Sequence, residues 1–549
     1  MKKILILTEK PSVARKFAEY VFKQFKEKRF GKARYYIAAR QGQVYYIVSC
    51  VGHLYTLAPA AQSFPLLDYK WVPVYQAERR KAYTRIYLEL LKKLSKEVDE
   101  VLVATDYDIE GELIAYNVLE YCLKKPAKRL VFSEITPRAL KKAMENPQGL
   151  NFGYIYAGIA RHVLDWLFGI NFSRLLQREF GIKRLSAGRV QTPVLRLIYE
   201  RELEIARFVP EKYYKVRLYS KYITVDHEKT FKDKKSAEQL AACGASEAEV
   251  LDSVQQELVQ PPPPFCLSTL QAEAWRIFRL NPAKTLRVAQ KLYEQGYISY
   301  PRTSSEKYPK DIDFREILAG LARLEKYRKT IQRILSSPLA PKEGEKVDPA
   351  HPCIYPTGQV PKKLSRREAM VYHLVVRRFL ATLLPPVKVA RHKIRIRCGQ
   401  LLFVDERLEV LESGWLEVYP VRLGKQYRPL PSRFSCRLKI IEAKTKPPPR
   451  YTPAALVKLM EQLGLGTKAT RAEIIEKLYK RGYIKGRRAK ITSLGKQVIE
   501  FLLCKYPKIA SVELTREFEK RIEEIEKGGK EMLEKIIREY KELIKSLLD

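Results

Sequence analysis

Residues 296–305 place a tyrosine and an arginine two positions apart, separated by a proline. Pro301 disfavours helical geometry in the residue before it, so the segment is predicted to be extended. Side chains two apart in an extended segment project to the same side, so Tyr300 and Arg302 could face one phosphate together. A tyrosine hydroxyl can attack phosphorus, and a guanidinium can bind the non-bridging oxygens and stabilise developing charge. Ordinary packing is the alternative, because the chain contains 34 tyrosines.

Acidic residues follow two predicted strands at the point where each strand ends. Residues 3–7 form a short apolar strand that leads to Glu9 and Lys10. Lys10 could neutralise a phosphate or protonate a leaving oxygen, although a solvated lysine is the alternative. Residues 101–105 form a second apolar strand, and a predicted helix follows the acids that come after it: Asp106, Asp108, Glu110 and Glu112.

This βα pattern places the carboxylates at the edge of an open sheet where such folds bind ligands. Converging carboxylates repel one another unless a cation lies among them. Mg²⁺ prefers oxygen ligands, keeps several waters and suits a phosphate site. An acidic helix N-terminus is the alternative, which explains Glu110 and Glu112 well and the two aspartates poorly. The predicted metal ligands are Glu9, Asp106, Asp108 and Glu110.

The charge of the chain indicates a polyanionic partner. Lysine and arginine total 103 against 62 acidic residues, a formal net charge of +41, and nucleic acid is the leading candidate. No apolar run reaches the length of about 18 residues that a membrane span needs. The eight cysteines are scattered without a CxxC pair, which argues against zinc ribbons and disulfide frameworks and fits a reducing cytoplasm.

The elements around Tyr300 recur later in the chain. A predicted helix over residues 283–295 ends at Gly296, a usual stop signal. The offset that carries the proline cluster at 261–264 onto the one at 447–449 also aligns AQKLYEQGYI (289–298) with IEKLYKRGYI (475–484). We therefore predict two copies of one helix-turn-helix module, a fold often used on DNA. In the second copy Gly486 stands opposite Tyr300, and Arg488 stands opposite Arg302.

Several motifs resemble one protein family. LTEKPS (7–12) with ATDYDIEGE (104–112) looks like the Toprim domain, which type IA DNA topoisomerases share with bacterial primases and some nucleases. RLSAGRVQTPVL (184–195) and GYISYPRTSS (296–305) are similar to type IA motifs only. Residues 451–484 also fit, so the resemblance spans nearly the whole chain. The residues of the motifs TEKPS and GRVQTP look most like those of archaeal topoisomerase III.

The resemblance implies further site residues. It places Arg161 on a DNA phosphate, where the alternative is an i,i+4 ion pair with Asp165. It makes His351, in a motif similar to the family's HxAI, a candidate catalytic residue, although a lone histidine is more often structural. The predicted catalytic residues are Tyr300, Glu9, Lys10, Arg302 and His351. The predicted DNA-binding residues are His53, Arg161, Asp165, Ser186, Ala187, Gly188, Arg189, Val190, Gln191, Arg302 and Arg488.

The resulting fold class is multidomain α/β plus α+β, with a Toprim α/β domain, two CAP-like helix-turn-helix domains and a β-rich arch forming a toroid. The predicted divisions are a Toprim domain (1–150), a helical DNA-binding domain (151–209 and 441–549), the arch (210–260 and 375–440) and the tyrosine domain (261–374). Residues 514–548 show heptad-like apolar spacing and are interpreted as packed scaffold.

These observations predict an ATP-independent topoisomerase that cleaves one DNA strand through a covalent phosphotyrosine, passes a strand and religates. The resemblance implies that the tyrosine is linked to the 5′ end. No Walker motif is present to supply nucleotide energy. Expected partners are single-stranded and supercoiled or catenated DNA, with a possible helicase, for a monomer in the cytoplasm at the nucleoid. Two alternatives stay open. A Toprim nuclease or primase would give Tyr300 no role, and a non-enzymatic DNA-binding protein would not explain the acidic residues.

Overall fold

The structure is a computed structural model that describes residues 1–22, 24–62 and 64–548. Its amino-terminal part is an α/β unit around a six-stranded sheet of order β2-β3-β4-β1-β7-β8. Its elements are β1 (Lys3–Thr8), α1 (Pro11–Val21), β2 (Phe25–Phe30), β3 (Ala33–Arg40), β4 (Gln43–Ser49), β5 (Tyr55–Pro59), β6 (Tyr69–Pro73), α2 (Val74–Ala77), α3 (Thr84–Ser95), β7 (Glu100–Ala104), α4 (Ile109–Val118), β8 (Ala127–Arg129) and α5 (Pro137–Glu145).

The apolar runs of β1 and β7 place the predicted acids side by side. β1 pairs in parallel with β7, with Thr8 opposite Ala104. Strands buried on both faces read as continuous apolar runs, as KILILT does here. Because parallel strands end at the same edge, Glu9 and Asp106 leave the sheet together, as the sequence predicted.

Two helices, α6 (Phe152–Phe180) and α7 (Gln191–Arg207), connect this unit to a β-rich region. That region comprises two sheets of order β10-β9-β15 and β13-β12-β11-β14, which share one apolar core. Its elements are β9 (Lys212–Tyr219), β10 (Thr224–Phe231), α8 (Lys234–Ala242), β11 (Glu247–Val259), and, after a helical insertion, β12 (Val387–Cys398), β13 (Leu401–Glu412), β14 (Arg433–Ser435) and β15 (Arg437–Lys444). Segments on both sides of the insertion therefore fold as one unit.

The insertion contains Tyr300 and the helices α9 (Leu267–Phe278), α10 (Pro282–Glu294), α11 (Phe314–Leu321), α12 (Glu325–Leu335) and α13 (Arg366–Thr382). α13 packs with the other helices of the insertion, and β15 pairs with β9. The predicted divisions at 374/375 and 440/441 thus fall inside α13 and β15. The chain enters β12 after Pro385-Pro386, where the missing N–H groups stop a helix from continuing.

The carboxyl-terminal part is helical, with a small two-stranded sheet. Its elements are α14 (Pro453–Gln462), α15 (Arg471–Arg481), β16 (Ile484–Lys485), β17 (Lys490–Ile491), α16 (Ser493–Lys505) and α17 (Val512–Leu548), which is kinked at Gly529. α17 packs along α6 through an apolar stripe that includes Phe518, Ile522 and Ile525. Among the described residues, no helix combines the length and apolar character needed to cross a bilayer.

The two predicted module copies have the same backbone geometry. The turn after α10 contains Gly296 with φ of 77°, and the turn after α15 contains Gly482 with φ of 76°, a left-handed conformation that favours glycine. The amide of the following tyrosine donates to a helix carbonyl in both copies: Tyr297 to Leu292 at 2.9 Å, and Tyr483 to Leu478 at 3.0 Å. The internal repeat is therefore present in the structure, including its turn.

We expect alanine at these two matched glycines to separate backbone strain from packing. Gly482→Ala places Cβ in open space, so its cost is the left-handed backbone alone, about 1 kcal/mol. Gly296→Ala adds a collision with the carbonyl oxygen of Ile135, in the amino-terminal unit, and should destabilise the protein further. Denaturant unfolding of the two variants measures the difference. Equal losses would contradict the placement of Gly296 against that unit.

Candidate active site

The phenol of Tyr300 meets the acidic edge of the six-stranded sheet. Its hydroxyl donates to Asp108 Oδ2 at 2.6 Å, and its side chain is 1% exposed. A backbone hydrogen bond also joins the two units: the Tyr300 amide donates to the Ser133 carbonyl at 2.8 Å. Burial, with the carboxylates of Asp108 and Asp106, raises the pKa of Tyr300 well above its ordinary value. The site thus holds the phenol protonated beside an acceptor for its proton.

Asp108 is fixed by the start of α4. It is the N-cap residue, and its Oδ1 accepts from the Gly111 amide at 2.8 Å while Oδ2 faces Tyr300. An added Cβ at Gly111 would collide with the Asp106 carbonyl oxygen, so only glycine fits this tight turn. The helix-terminus alternative, which explains the aspartates poorly at the level of the sequence, therefore accounts for one oxygen of Asp108, while the other oxygen faces Tyr300.

Asp106 lies beside Asp108 and is 6% exposed. Its carboxylate accepts from Gln290 Nε2 of α10 at 3.2 Å. Burial, with Glu9 and Asp108 nearby, raises the pKa of Asp106 well above its usual range. Beneath it, fully buried Arg129 donates from Nη2 to the carbonyls of Thr105 (2.6 Å) and Asp106 (2.8 Å), which fixes the turn after β7.

The predicted group of carboxylates points in three directions. Asp106 and Asp108 face the tyrosine; Glu110 Oε2 instead contacts the Nε2 atoms of His53 (3.1 Å) and His162 (3.0 Å). Glu112 turns inward to an ion pair with Arg129 at 3.1 Å. Successive positions on a helix first turn differ by about 100° in direction, which is why acids in one short motif separate. Glu110 is thus placed apart from the two aspartates with which the sequence grouped it.

Glu9 and Lys10 form an ion pair, with Lys10 Nζ 2.7 Å from Glu9 Oε1. Burial opposes the charge of Lys10, but the Glu9 carboxylate outweighs it and raises the pKa of the ammonium. Lys10 is therefore charged at neutral pH and could act as an acid or as a positive charge, not as a base. Glu9 is also among the charges acting on Asp106.

Arg302 lies on the same side as Tyr300, as the spacing predicted. Its Nη1 is 3.8 Å from Asp108 Oδ2, and its side chain is 25% exposed. Its Nε is buried and has no hydrogen-bond partner among the described residues. The guanidinium thus has donors to spare for an incoming oxyanion.

His351 packs on the ring of Tyr300, with centroids 4.3 Å apart. Its Nε2 is 2.8 Å from the Tyr107 carbonyl, which can only accept, so Nε2 carries the proton. Its Nδ1 is 3.0 Å from Ser133 Oγ. Burial lowers the pKa of His351 to about 4, so it is neutral at pH 7. Both ring nitrogens of His351 therefore contact the amino-terminal unit, and its predicted catalytic role stays a prediction.

Arg161 and Arg189 belong to a buried ionic network. Arg161 Nη2 lies 3.0 Å from Glu519 Oε2, and Arg189 Nη1 lies 2.7 Å from Glu519 Oε1. Arg189 Nε also pairs with Asp165 at 2.9 Å, and its guanidinium is 3.8 Å from the centre of the Phe518 ring. The i,i+4 pair between Arg161 and Asp165, the alternative to a phosphate contact, does not form, because each residue pairs with a distant partner. Both arginines, predicted to contact phosphate, are 8% and 3% exposed.

The rest of the predicted DNA-binding segment is also mostly packed. The Ser186 amide donates to the hydroxyl of Tyr483 at 2.9 Å, and that hydroxyl donates back to the Ser186 carbonyl at 2.9 Å. Gly188 is half-buried, and the buried members are Ser186, Ala187, Arg189, Val190 and Gln191. Arg488 is exposed on the loop between β16 and β17. The segment thus joins α6 to the second module, with Gly188 the partly open position.

The sequence interpretation missed Lys468, which reaches from the second module to Asp348. Asp348 accepts from the Ser304 amide at 2.9 Å and the His351 amide at 3.3 Å, and it pairs with the Lys468 ammonium. This carboxylate therefore orders the segments that carry Tyr300 and His351. The sequence identifies the motif that contains His351, but nothing in that motif indicates a lysine in the other copy as its partner.

Replacing Asp348 should loosen both segments in a pH-dependent way. Burial opposes its charge, but Lys468 and backbone amides lower the pKa of Asp348 from 3.8 to about 2. A depressed pKa stabilises the fold above the unfolded value, by about 2 kcal/mol, and this is lost as pH falls from about 4 to about 2. Asp348→Asn should speed hydrogen exchange of the Ser304 and His351 amides at pH 7 and match the parent near pH 2.

Asp68→Asn is the matched control, because Asp68 forms an exposed pair with Lys541 at 3.2 Å and should change stability little. Equal exchange at Ser304 in the parent and in Asp348→Asn at pH 7 would contradict the assigned role.

Comparison with known proteins identifies the family. The profile of a family described as DNA topoisomerase matches residues 149–536, and a Toprim domain profile matches residues 4–135. DNA topoisomerase 1 of Pyrococcus horikoshii is 44% identical over 580 residues, covering 98% of this chain and 84% of that protein. DNA topoisomerase 1 of Methanothermobacter thermautotrophicus is 39% identical, covering 95% and 76%.

The solved structure of full-length topoisomerase I from Thermotoga maritima superimposes with a TM-score of 0.78 at 29% identity, covering 99% of this chain and 90% of that one. The type IA prediction and the fold class are confirmed. Within the family, these similar proteins are named topoisomerase 1, whereas the residues of the TEKPS and GRVQTP motifs favoured topoisomerase III. The chain therefore belongs to the type IA DNA topoisomerases and begins with a Toprim domain.

Proposed function

We propose that Tyr300 is the nucleophile of this topoisomerase. Its hydroxyl attacks a backbone phosphate of one DNA strand, forming an Oη–P bond while the P–O3′ bond breaks, and the freed 3′-OH later attacks in reverse. The 5′ linkage is the one that the family resemblance implies. The observation that carries the proposal is the 2.6 Å hydrogen bond from Tyr300 to Asp108, which joins the two motifs across separate units. The covalent intermediate conserves bond energy, so no nucleotide is needed.

The neighbouring residues supply charge and positioning. Arg302, whose side chain is 25% exposed beside Asp108, would bind the non-bridging phosphate oxygens. Lys10, charged beside Glu9, would protonate the leaving 3′ oxygen. His351, neutral and held by Tyr107 and Ser133, would orient the Tyr300 ring through packing instead of carrying charge.

The acidic edge fits the metal expected of a Toprim domain. The donors are carboxylate oxygens. Burial, together with the negative charges of Glu9 and Asp108, raises the pKa of Asp106, and a dication bound among these groups would offset both effects. Glu9, Asp106 and Asp108 would hold Mg²⁺, which, when bound, neutralises phosphate charge and holds the cleaved end.

Strand passage requires the tyrosine unit and the Toprim unit to separate. The contacts that join them are non-covalent, such as Tyr300 to Ser133 and Tyr355 to Glu134 (3.1 Å), while the chain connects them through the β-rich region. We propose that residues 210–260 and 387–444 form the arch of a ring that opens at this interface. Two further predicted domains would complete this ring. They are the Toprim domain (1–150) and the DNA-binding domain, formed by residues 151–209 with the carboxyl-terminal helices.

The substrate proposed is single-stranded DNA within negatively supercoiled or catenated molecules. The net charge of +41 supports phosphate binding along the chain. Exposed Arg488 is a candidate contact, as is the half-buried Gly188. Buried Arg161 and Arg189 would act by holding α6 and the segment before α7 in place beside the bound DNA. We expect a monomer acting at the nucleoid, with a helicase as its partner.

Tyr300→Phe should abolish covalent capture of DNA. The protein is incubated with labelled single-stranded oligonucleotide, stopped with detergent, and examined for protein-linked label. Tyr297→Phe, in the same segment after α10 and half-buried, is the matched control and should keep the adduct. Free cleaved ends without a protein link would favour a Toprim nuclease, and intact bound DNA would favour a non-enzymatic binder.

Asp106→Asn with Asp108→Asn should shift the Mg²⁺ dependence of plasmid relaxation. Loss of two ligands should raise the Mg²⁺ concentration for half-maximal relaxation at least about tenfold. Glu120→Gln, an exposed acid in the same domain, should leave the titration unchanged. Coincident curves for the double variant and the parent would refute the metal assignment.

A further inference from the structure

Two histidines and one glutamate converge beside the Toprim edge, outside the tyrosine site. His53 Nε2 lies 3.1 Å and His162 Nε2 lies 3.0 Å from the same oxygen, Glu110 Oε2. The three ligand atoms are all within 4.8 Å of one another, and this is the one such group among the described residues. The imidazole centroids are 4.9 Å apart.

Three separate elements are shaped to bring these side chains together. Val51 and Gly52 both have positive φ (51° and 88°), a strained conformation for valine, and this turn directs His53 inward. Glu110 lies on the first turn of α4. On α6, an added Cβ at Gly158 would press on α4 at the Ile109 carbonyl, so glycine permits the close approach.

His162 follows Gly158 by one helical turn and thus faces the same side of α6. The close approach of α6 to α4 is therefore what carries His162 to Glu110. Strained backbone of the kind seen at Val51 persists where the surroundings over-determine it, which is typical of ligand sites.

We propose that His53, Glu110 and His162 form a binding site for a divalent transition-metal cation of the Zn²⁺ class. Imidazole nitrogen with one carboxylate suits Zn²⁺, Co²⁺ or Ni²⁺, whereas Mg²⁺ prefers oxygen alone. Ligands bound at about 2.0–2.2 Å lie about 3 to 3.5 Å from one another, which the two N–O distances already match.

The site is separate from the proposed Mg²⁺ ligands. Asp106 and Asp108 contact Gln290 and Tyr300, and Glu110 contacts the histidines. The three side chains are 26–29% exposed, so coordination positions remain open to water or to a phosphate oxygen. A plain ionic network is the alternative, in which each Nε2 keeps its proton.

Cobalt(II) titration distinguishes the two. Purified full-length protein stripped of metal should bind one Co²⁺ with visible d–d absorption, which Zn²⁺ displaces and a large excess of Mg²⁺ does not. The exposed thiols Cys243 and Cys504 are changed to serine in the background, because they could ligate cobalt. Dialysis with elemental analysis gives the stoichiometry independently of colour.

His162→Arg supplies a charge for Glu110 and cannot ligate, so the fold is kept while the affinity for Co²⁺ should fall at least about tenfold. His53→Asn should give the same loss. Asp106→Asn with Asp108→Asn is the matched control and should retain the cobalt spectrum. Absence of the spectrum in the parent, or its persistence in both histidine variants, would overturn the site without bearing on Tyr300 as nucleophile.

Discussion

The two hydrogen bonds of the Asp108 carboxylate set the position of the Tyr300 phenol. One oxygen receives the Gly111 amide and begins α4, so the other oxygen has a fixed direction, and Tyr300 donates to it. Gly111 permits this because any side chain there would strike the Asp106 carbonyl. Arg129 holds that carbonyl from below. The location of the phenol therefore depends on how one helix starts, in a different unit of the protein.

The interface around that contact combines a buried phenol with individual hydrogen bonds between the two units. Tyr300 and Tyr355 bond to Ser133 and Glu134 of the Toprim unit. Hydrogen bonds of this type are exchanged for bonds to water on separation, so each contributes only about 1 kcal/mol net. An interface built this way can be specific when closed and still open at moderate cost. In the opening proposed above, covalent continuity through the β-rich region would keep the separated parts together.

The sequence predicts what local pattern controls and misses what distant partners control. The apolar runs of β1 and β7, the glycine stops and the repeat all follow from propensity and periodicity. Arg161 and Asp165 have ion-pair spacing, yet both take other partners because Glu519 and Arg189 arrive from other elements. No local signal identifies Glu519, which sits among similar acids in a helix predicted to be scaffold. Glu110 was grouped with its sequence neighbours, although helix geometry turns it toward His53 and His162.

The two module copies show how one scaffold acquires separate roles. Both close the turn with a left-handed glycine and a threonine hydroxyl bonded to its carbonyl, Thr357 to Gly296 at 2.5 Å and Thr492 to Gly482 at 2.7 Å. The first copy expands the intervening loop to carry Tyr300, whereas the second keeps it short. Lys468 of the short copy then holds Asp348 of the long one. The second copy, which has glycine at the position of Tyr300, thus contributes by fixing the loop of the first copy.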